Sequence, residues 1–148
     1  MENAFRYVID HGITTSKSYS NETTSGCKYK PSMEAYKIKS CANTFNSTSG
    51  LMSALFAQPV SVVIDASGSA FILYKSGVFS GSCGININHG VLATGYGSLN
   101  GKKYWRIQNS WGTTWGDHGY INLMRHDTDG HGQCGVLIWN TVPLQSVW

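Results

Sequence analysis

Apolar residues recur at helical spacing where the chain opens, in MENAFRYVIDHG. Met1, Ala4, Phe5, Val8 and Ile9 share one face, and Gly12 stops the run, so residues 1–11 are predicted to form a helix. A chain that opens inside a helix is expected to be part of a longer one. Residues 14–48 are rich in Ser, Thr, Asn and Lys and read as surface loop, with one strand expected over EAYKIKS, residues 34–40. Ser49 is positioned to cap a short helix, GLMSALFAQ, with Leu51, Leu55 and Phe56 as its buried face; Pro59 ends it. PVSVVID, residues 59–65, is a β-branched strand. FILYKSGVF, residues 71–79, is apolar but broken by a glycine. Strands are then expected at 90–96, 103–108, 119–124 and 136–139, each bounded by Gly, Asn or Asp. Helix first and antiparallel strands afterwards indicate an α+β fold whose second part is a barrel-like sheet.

Composition narrows the function classes. With 148 residues, 41% hydrophobic and 13% charged, the chain suits one folded unit with a substantial core. Its eleven Lys and Arg are scattered and the formal charge is only +3, which argues against nucleic acid as a partner. No apolar run approaches the roughly 20 residues of a membrane helix, so no membrane association is expected. Four cysteines, at 27, 41, 83 and 134, show no C-x-x-C spacing, so neither zinc nor thioredoxin-like chemistry is indicated. Asn21 and Asn46 each begin an N-glycosylation sequon; together with the even cysteine count they suit an oxidising compartment.

One constellation carries chemistry. His89 opens the strand-like run NHGVLATGYG, and Asn109 and Trp111 lie in QNSWGTTWGDHGY. A thiol is a nucleophile only as thiolate, and a neighbouring imidazolium stabilises that form. The imidazole must itself be aimed; an asparagine amide oxygen does so without adding a competing negative charge, and an indole beside the contact excludes water. The remaining histidines, His11, His118, His126 and His131, have no such partner and are assigned surface or capping roles. DTDG, residues 127–130, lacks the glutamate of a calcium loop and reads as a hairpin turn. GYGSLNG lacks the strand-turn-helix setting of a nucleotide loop, and Tyr104 and Trp105 read as core.

The stretches QPVSVVIDASG, YKSGVFSGSCG, NHGVLATGYG, KKYWRIQNSWGTTWGDHGYINLMR and QCGV, in this order through nearly the whole chain, resemble the papain-like cysteine peptidases, the family of papain, bromelain and the lysosomal cathepsins. The resemblance implies a papain-like fold: residues 1–12 as the tail of the helical left domain, 13–58 as connecting loops and a short helix, and 59–148 as the β-rich right domain. It implies that His89 and Asn109 are catalytic and that Trp111 covers their contact and helps form the leaving-group side of the cleft. Gly112, Trp115, Gly116 and Gly119 match the structural part of the same motif. Cys83 and Cys134 match a family disulfide. Cys27 matches a cysteine whose usual partner lies before Met1, Cys41 has no counterpart, and a 27–41 bond stays open.

The family's nucleophile stands in a C-G-[SA]-C-[WY] motif near the mature N-terminus, about 130–150 residues before its His and Asn. No such motif occurs here. The expectation is therefore the C-terminal portion of an endopeptidase whose cysteine lies upstream, with this chain inactive by itself. The alternative is an inactive papain-like binding or structural module in a larger assembly. Motif matching assigns Met1, Val63, Gly90 and Trp139 to the pocket for the second substrate residue before the cut, and Asn88 to substrate binding beside His89. With an indole on its floor and no acidic residue, that pocket is expected to favour short aliphatic side chains. The resemblance further implies no cofactor or metal, peptide substrates, the missing N-terminal segment and propeptide or cystatin-like inhibitors as partners, and a lysosomal, vacuolar or secreted location.

Overall fold

Alternation along PVSVVID builds the centre of the structure. Val60, Val62 and Ile64 are buried and Ser61 and Val63 half-buried, so this strand, β2 (Val60–Ile64), lays one face on the core. The computed structural model describes residues 1–19, 26–128 and 130–145. Its helices are α1 (Glu2–His11), α2 (Thr48–Ala57) and α3 (Ser69–Ile72). Its other strands are β1 (Ser40–Asn43), β3 (Val78–Phe79), β4 (His89–Leu99), β5 (Lys102–Gln108), β6 (Tyr120–Met124) and β7 (Asn140–Leu144). The hydrogen-bonded order is β1-β7-β2-β4-β5-β6-β3, a mixed α/β arrangement with few helices.

By contact the chain divides into two units, residues 1–42 with 143–148, and residues 43–142. In the first unit α1 ends at Gly12, whose φ of 75° suits glycine and whose N–H donates to Val8 C=O at 2.9 Å. The predicted apolar stripe is present only in part: Met1, Phe5, Val8 and Ile9 are half-buried, Ala4 is exposed, and no residue of α1 is fully buried. Lys37 Nζ donates to Asp10 C=O at 2.9 Å, and the Tyr29 hydroxyl to His11 C=O. The strand expected over residues 34–40 is absent: Tyr36 makes a single bridge to Ile13, and the strand begins at Ser40. Only Ile38 of that alternating stretch is buried, so the alternation has no sheet face to cover.

In the second unit β4 runs antiparallel to both β2 and β5, and β5 to β6; β3 joins β6 in parallel. Buried Val60, Val62, Ile64, Ala93, Trp105, Ile107, Ile121 and Leu123 form the core, with Leu51 and Phe71 from the helices. Residues 136–139, expected as a strand, instead follow a turn at Gln133–Gly135, and Val136 takes helical angles. The last strand starts at Asn140, beside β2.

Helix α2 is capped by Ser47, whose Oγ accepts from Gly50 N–H at 3.1 Å, and not by Ser49. Its inner face is also narrower than expected. Leu51 is fully buried and Leu55 half-buried, but Phe56 is 89% exposed, because five residues of helix turn it about 140° away from Leu51. Ser47→Ala is expected to lower stability by about 1 kcal/mol and Ser49→Ala by under about 0.5, read from urea denaturation. The reverse order would return the cap to Ser49.

Candidate active site

His89 is the first residue of β4, opposite Ile64 at the end of β2. Asn109 follows the last residue of β5, whose Gln108 pairs with Leu92 on one side and Tyr120 on the other. Two neighbouring strands thus present these side chains at the same edge. His89 Nε2 lies 2.8 Å from Asn109 Oδ1. That oxygen also accepts the Ser110 N–H at 2.8 Å, which identifies it as an acceptor, so Nε2 carries the proton and donates. In the neutral ring Nδ1 then holds the free lone pair. Asn109 Nδ2 is buried without a partner among the described residues.

Aromatic rings wall this pair. The Trp111 ring centroid is 5.2 Å from that of His89, tilted by 34°. Trp111 meets Trp115 and Phe71 edge-on at 5.2 and 5.6 Å, and Trp115 Nε1–H donates to Ile72 C=O at 2.9 Å. Phe71 is fully buried, so the slab is anchored in the core while Trp111 keeps 40% of its surface exposed. The loop between β5 and β6 is held by its own backbone: Asn109 N–H donates to Gly119 C=O at 2.9 Å and Gly119 N–H to Trp115 C=O at 2.8 Å. Gly116 has φ 59°, and a Cβ there would lie 2.5 Å from Tyr120 C=O, so this turn closes only with glycine.

Sequence reading missed two polar clusters. Arg106 Nη1 donates to Asp117 Oδ2 at 2.7 Å and to Asn122 Oδ1 at 3.0 Å, and its guanidinium sits 4.4 Å from the Tyr120 ring centroid. This ties the loop end to β5 and β6. The Arg106 hydrogen bond beside Asp117 holds its carboxyl below the usual carboxylate range. The second cluster surrounds Asp65, which is 3% exposed. Its Oδ1 accepts from Ser67 N–H at 3.1 Å, from the Ser67 hydroxyl and from Asn88 Nδ2 at 3.3 Å; its Oδ2 accepts from Asn86 N–H at 3.2 Å. The Ser67 hydroxyl first, then its amide, hold this carboxyl below the usual range against the opposing effect of burial. The one sequence signal was the D-A-S-G run, typical of a turn in which Asp accepts from the amide two residues on.

The other assigned residues fall as follows. Cys83 and Cys134 form a disulfide, while Cys27 and Cys41 are free thiols, so the 27–41 bond left open does not form. Asn88 is exposed, yet both its polar side-chain atoms are engaged, Nδ2 with Asp65 and Oδ1 with the Ala66 N–H at 3.1 Å. Val63 pairs with Gly90 across β2 and β4, and continuing the β2–β7 register one step sets Trp139 opposite Val63. A Cβ on Gly90 would meet nothing within 4 Å, so space is open above this row. Met1 belongs to the first unit, where its C=O accepts from Ala4 and Phe5 N–H. Asn46 is exposed and its Nδ2 donates to Ile138 C=O at 2.9 Å; Asn21 lies outside the described residues. Among the described residues no group of three His, Cys, Asp or Glu gathers as a metal site, and no helix is long and apolar enough to cross a membrane.

The chain is 42% identical over 154 residues to a KDEL-tailed cysteine endopeptidase of Arabidopsis thaliana, covering 98% of this chain and 41% of the relative. It spans about a quarter to two fifths of the length of the curated relatives it matches. Bromelain from Ananas comosus, in complex with the E64 inhibitor, superimposes with a TM-score of 0.91 at 37% identity, over 98% of this chain and 69% of bromelain. The ragweed pollen allergen Amb a 11, a cysteine protease in its proform, gives 0.91 at 38% identity, over 99% of this chain and 45% of that one. With the papain family cysteine protease model also matching residues 1–144, the chain belongs to the papain family of cysteine proteases.

Proposed function

We propose that this chain is the His- and Asn-bearing part of a papain-like cysteine endopeptidase whose nucleophilic cysteine lies upstream of residue 1. The carrying observation is the 2.8 Å contact of His89 Nε2 with Asn109 Oδ1, which leaves Nδ1 as the working nitrogen. Two of the four cysteines are committed to the disulfide, and neither Cys27 nor Cys41 stands in a C-G-[SA]-C-[WY] setting. Nδ1 takes the proton of the incoming thiol, and the thiolate attacks the peptide carbonyl carbon. The tetrahedral adduct collapses as the Nδ1–H protonates the leaving amine, giving a thioester. Nδ1 then deprotonates a water that attacks the thioester carbonyl, and the released thiolate and imidazolium restore the starting pair. Asn109 keeps the ring aimed through this cycle, and the indole of Trp111 limits water at their contact.

The disulfide favours an oxidising location, vacuolar, lysosomal or secreted, in which the sequons at Asn21 and Asn46 are candidates for glycosylation. Peptides are the substrates, and a propeptide or cystatin-like inhibitor would occupy the same cleft. The second substrate residue before the cut would lie over the row Val63, Gly90 and Trp139. The open space above Gly90, with Trp139 opposite Val63 by extension of the β2–β7 register, supports a preference for a short aliphatic side chain, and none of the three residues is a carboxylate that could pair with a cation.

Residues 1–148 alone are expected not to cleave peptides, whereas the complete protein cleaves them and is labelled by a thiol-directed epoxide inhibitor at its nucleophilic cysteine. A complete protein with Ser or Gly at the nucleophile position, and no labelling, would make it a binding module instead. In the active enzyme His89→Ala should cost about 10³-fold or more in kcat, near the upper range for a general acid–base, and Asn109→Ala should retain slow, measurable hydrolysis. Undiminished turnover by His89→Ala would remove the mechanism.

Val at the second position before the cut is expected to be preferred over Phe and Arg by roughly 1–3 kcal/mol in kcat/KM. Trp139→Ala should narrow that gap on a peptide library varied at this position. A native preference for Phe, or no gain for large residues in the variant, would show that Trp139 is not part of the pocket.

A further inference from the structure

We propose that Asp65 is a positioning residue for His89, fastening the irregular segment that precedes β4 to the end of β2. The inference rests on His89 being the catalytic base, and it assigns a role to a buried carboxylate that touches no substrate. Residues 80–88 belong to no helix or strand, yet they deliver the first residue of β4. Asp65 takes hold of that segment twice. Its Oδ2 receives the Asn86 N–H, and its Oδ1 receives Asn88 Nδ2, from the residue that adjoins His89. Asn88 returns the contact through Oδ1 to the Ala66 N–H, while its own N–H donates to Ile64 C=O at 3.0 Å. The β2–β4 ladder, whose last pair is Ile64 with His89, is thereby extended past its end by side-chain bonds.

The carboxylate is itself immobilised. Ser67 grips Oδ1 with hydroxyl and amide, and Asp65 N–H donates to Cys134 C=O at 2.8 Å, next to the disulfide. Among the described residues no cation pairs with Asp65, so four hydrogen bonds compensate its burial. Gly84 fits this arrangement: a Cβ there would stand 2.4 Å from Asp65 Oδ2, so only glycine lets the backbone pass over the carboxylate. Asparagine at 65 would keep one acceptor but turn an N–H toward the Asn86 N–H. The segment would loosen, and His89 would sample orientations in which Nδ1 misses its target.

Three variants approach the same contact from different sides: Asp65→Asn, Ser67→Ala and Gly84→Ala. In the complete active enzyme each should lower kcat about tenfold to 100-fold, the order expected for misplacing a catalytic group by about 1 Å, with KM changed less than about twofold. In ¹⁵N-labelled protein each should move the His89 imidazole resonances while those of His118 and His126 stay in place. Imidazole resonances of His89 that do not move in any of the three variants overturn the proposal, whether or not the melting temperature falls. So does an unchanged kcat in an enzyme that His89→Ala silences. Should His89→Ala leave activity intact, the peptidase reading fails, and the resonances alone decide whether Asp65 positions His89. If Asp65→Asn does not fold, the Ser67 and Gly84 variants carry the same test.

Discussion

The register of β4 between β2 and β5 is the constraint on which the rest of the site depends. Ile64 opposes His89 on one side and Gln108 opposes Leu92 on the other, and these two pairings set at one edge the strand ends that carry His89 and Asn109, whose side chains meet at 2.8 Å. Side chains alternate faces along a strand, so a slip of one residue in either ladder would turn the imidazole away from the amide. Burial enforces the register. Val62 faces Val91 and Val60 faces Ala93 across β2 and β4, and Ala93 faces Ile107 across β4 and β5, all inside the core. A slip would expose several of these side chains at about 1.5–3 kcal/mol each, far more than the few polar contacts of the site could offset.

Around that pair the protein uses neutral hydrogen-bonding groups where charge would interfere. Asn109 aims the ring without a carboxylate, and the nearby Asp65 spends its oxygens on two amides, a hydroxyl and Asn88. The full ion pair, Arg106 with Asp117, is set at the far end of the Asn109 loop, where it fixes the backbone. The aromatic slab stands against the His89 ring. Phe71 anchors Trp111 and Trp115 in the core, so the indole beside His89 is held rigidly although much of it meets solvent. Rigidity there protects the Nε2–Oδ1 bond better than depth would, since an imidazole that must reach a substrate cannot itself be fully enclosed.

Much of this was legible in the sequence, for physical reasons that also mark the failures. Strands β2, β4, β5 and β6 were readable because β-branched and aromatic residues alternate across a sheet with one buried face. The pairing of His89 with Asn109 was legible from the chemistry a thiol needs and from the resemblance to papain-like peptidases. VLIW, residues 136–139, was misread because a short apolar run does not declare its period. Here the turn before it, with positive φ at Gly132, Cys134 and Gly135, sends Val136 and Leu137 into the core outside any strand, while Trp139 stays exposed. The α2 cap was misplaced by two residues because two serines precede the same apolar run, and only the geometry at Gly50 separates them. Asp65 was invisible because its partners at 86 and 88 reach it through the fold, across some twenty residues of chain.

The disulfide and Asp65 then become two parts of one device. Bonding Cys83 to Cys134 closes a separation of 51 residues, worth about 4 kcal/mol in the loop-entropy account. Single hydrogen bonds contribute about 1 kcal/mol net. The covalent link therefore equals several hydrogen bonds in strength, but it ties residue 83 to Cys134 and leaves the five residues before His89 to be placed by other contacts. Asp65 acts where the disulfide cannot, at residues 86 and 88, and its own backbone is bonded to Cys134. Coarse placement by a covalent bond and fine placement by a buried carboxylate are separable. Reducing the disulfide should thus loosen the segment from residue 83 onward, whereas altering Asp65 should loosen it only at residues 86–88, next to the ring whose aim depends on them.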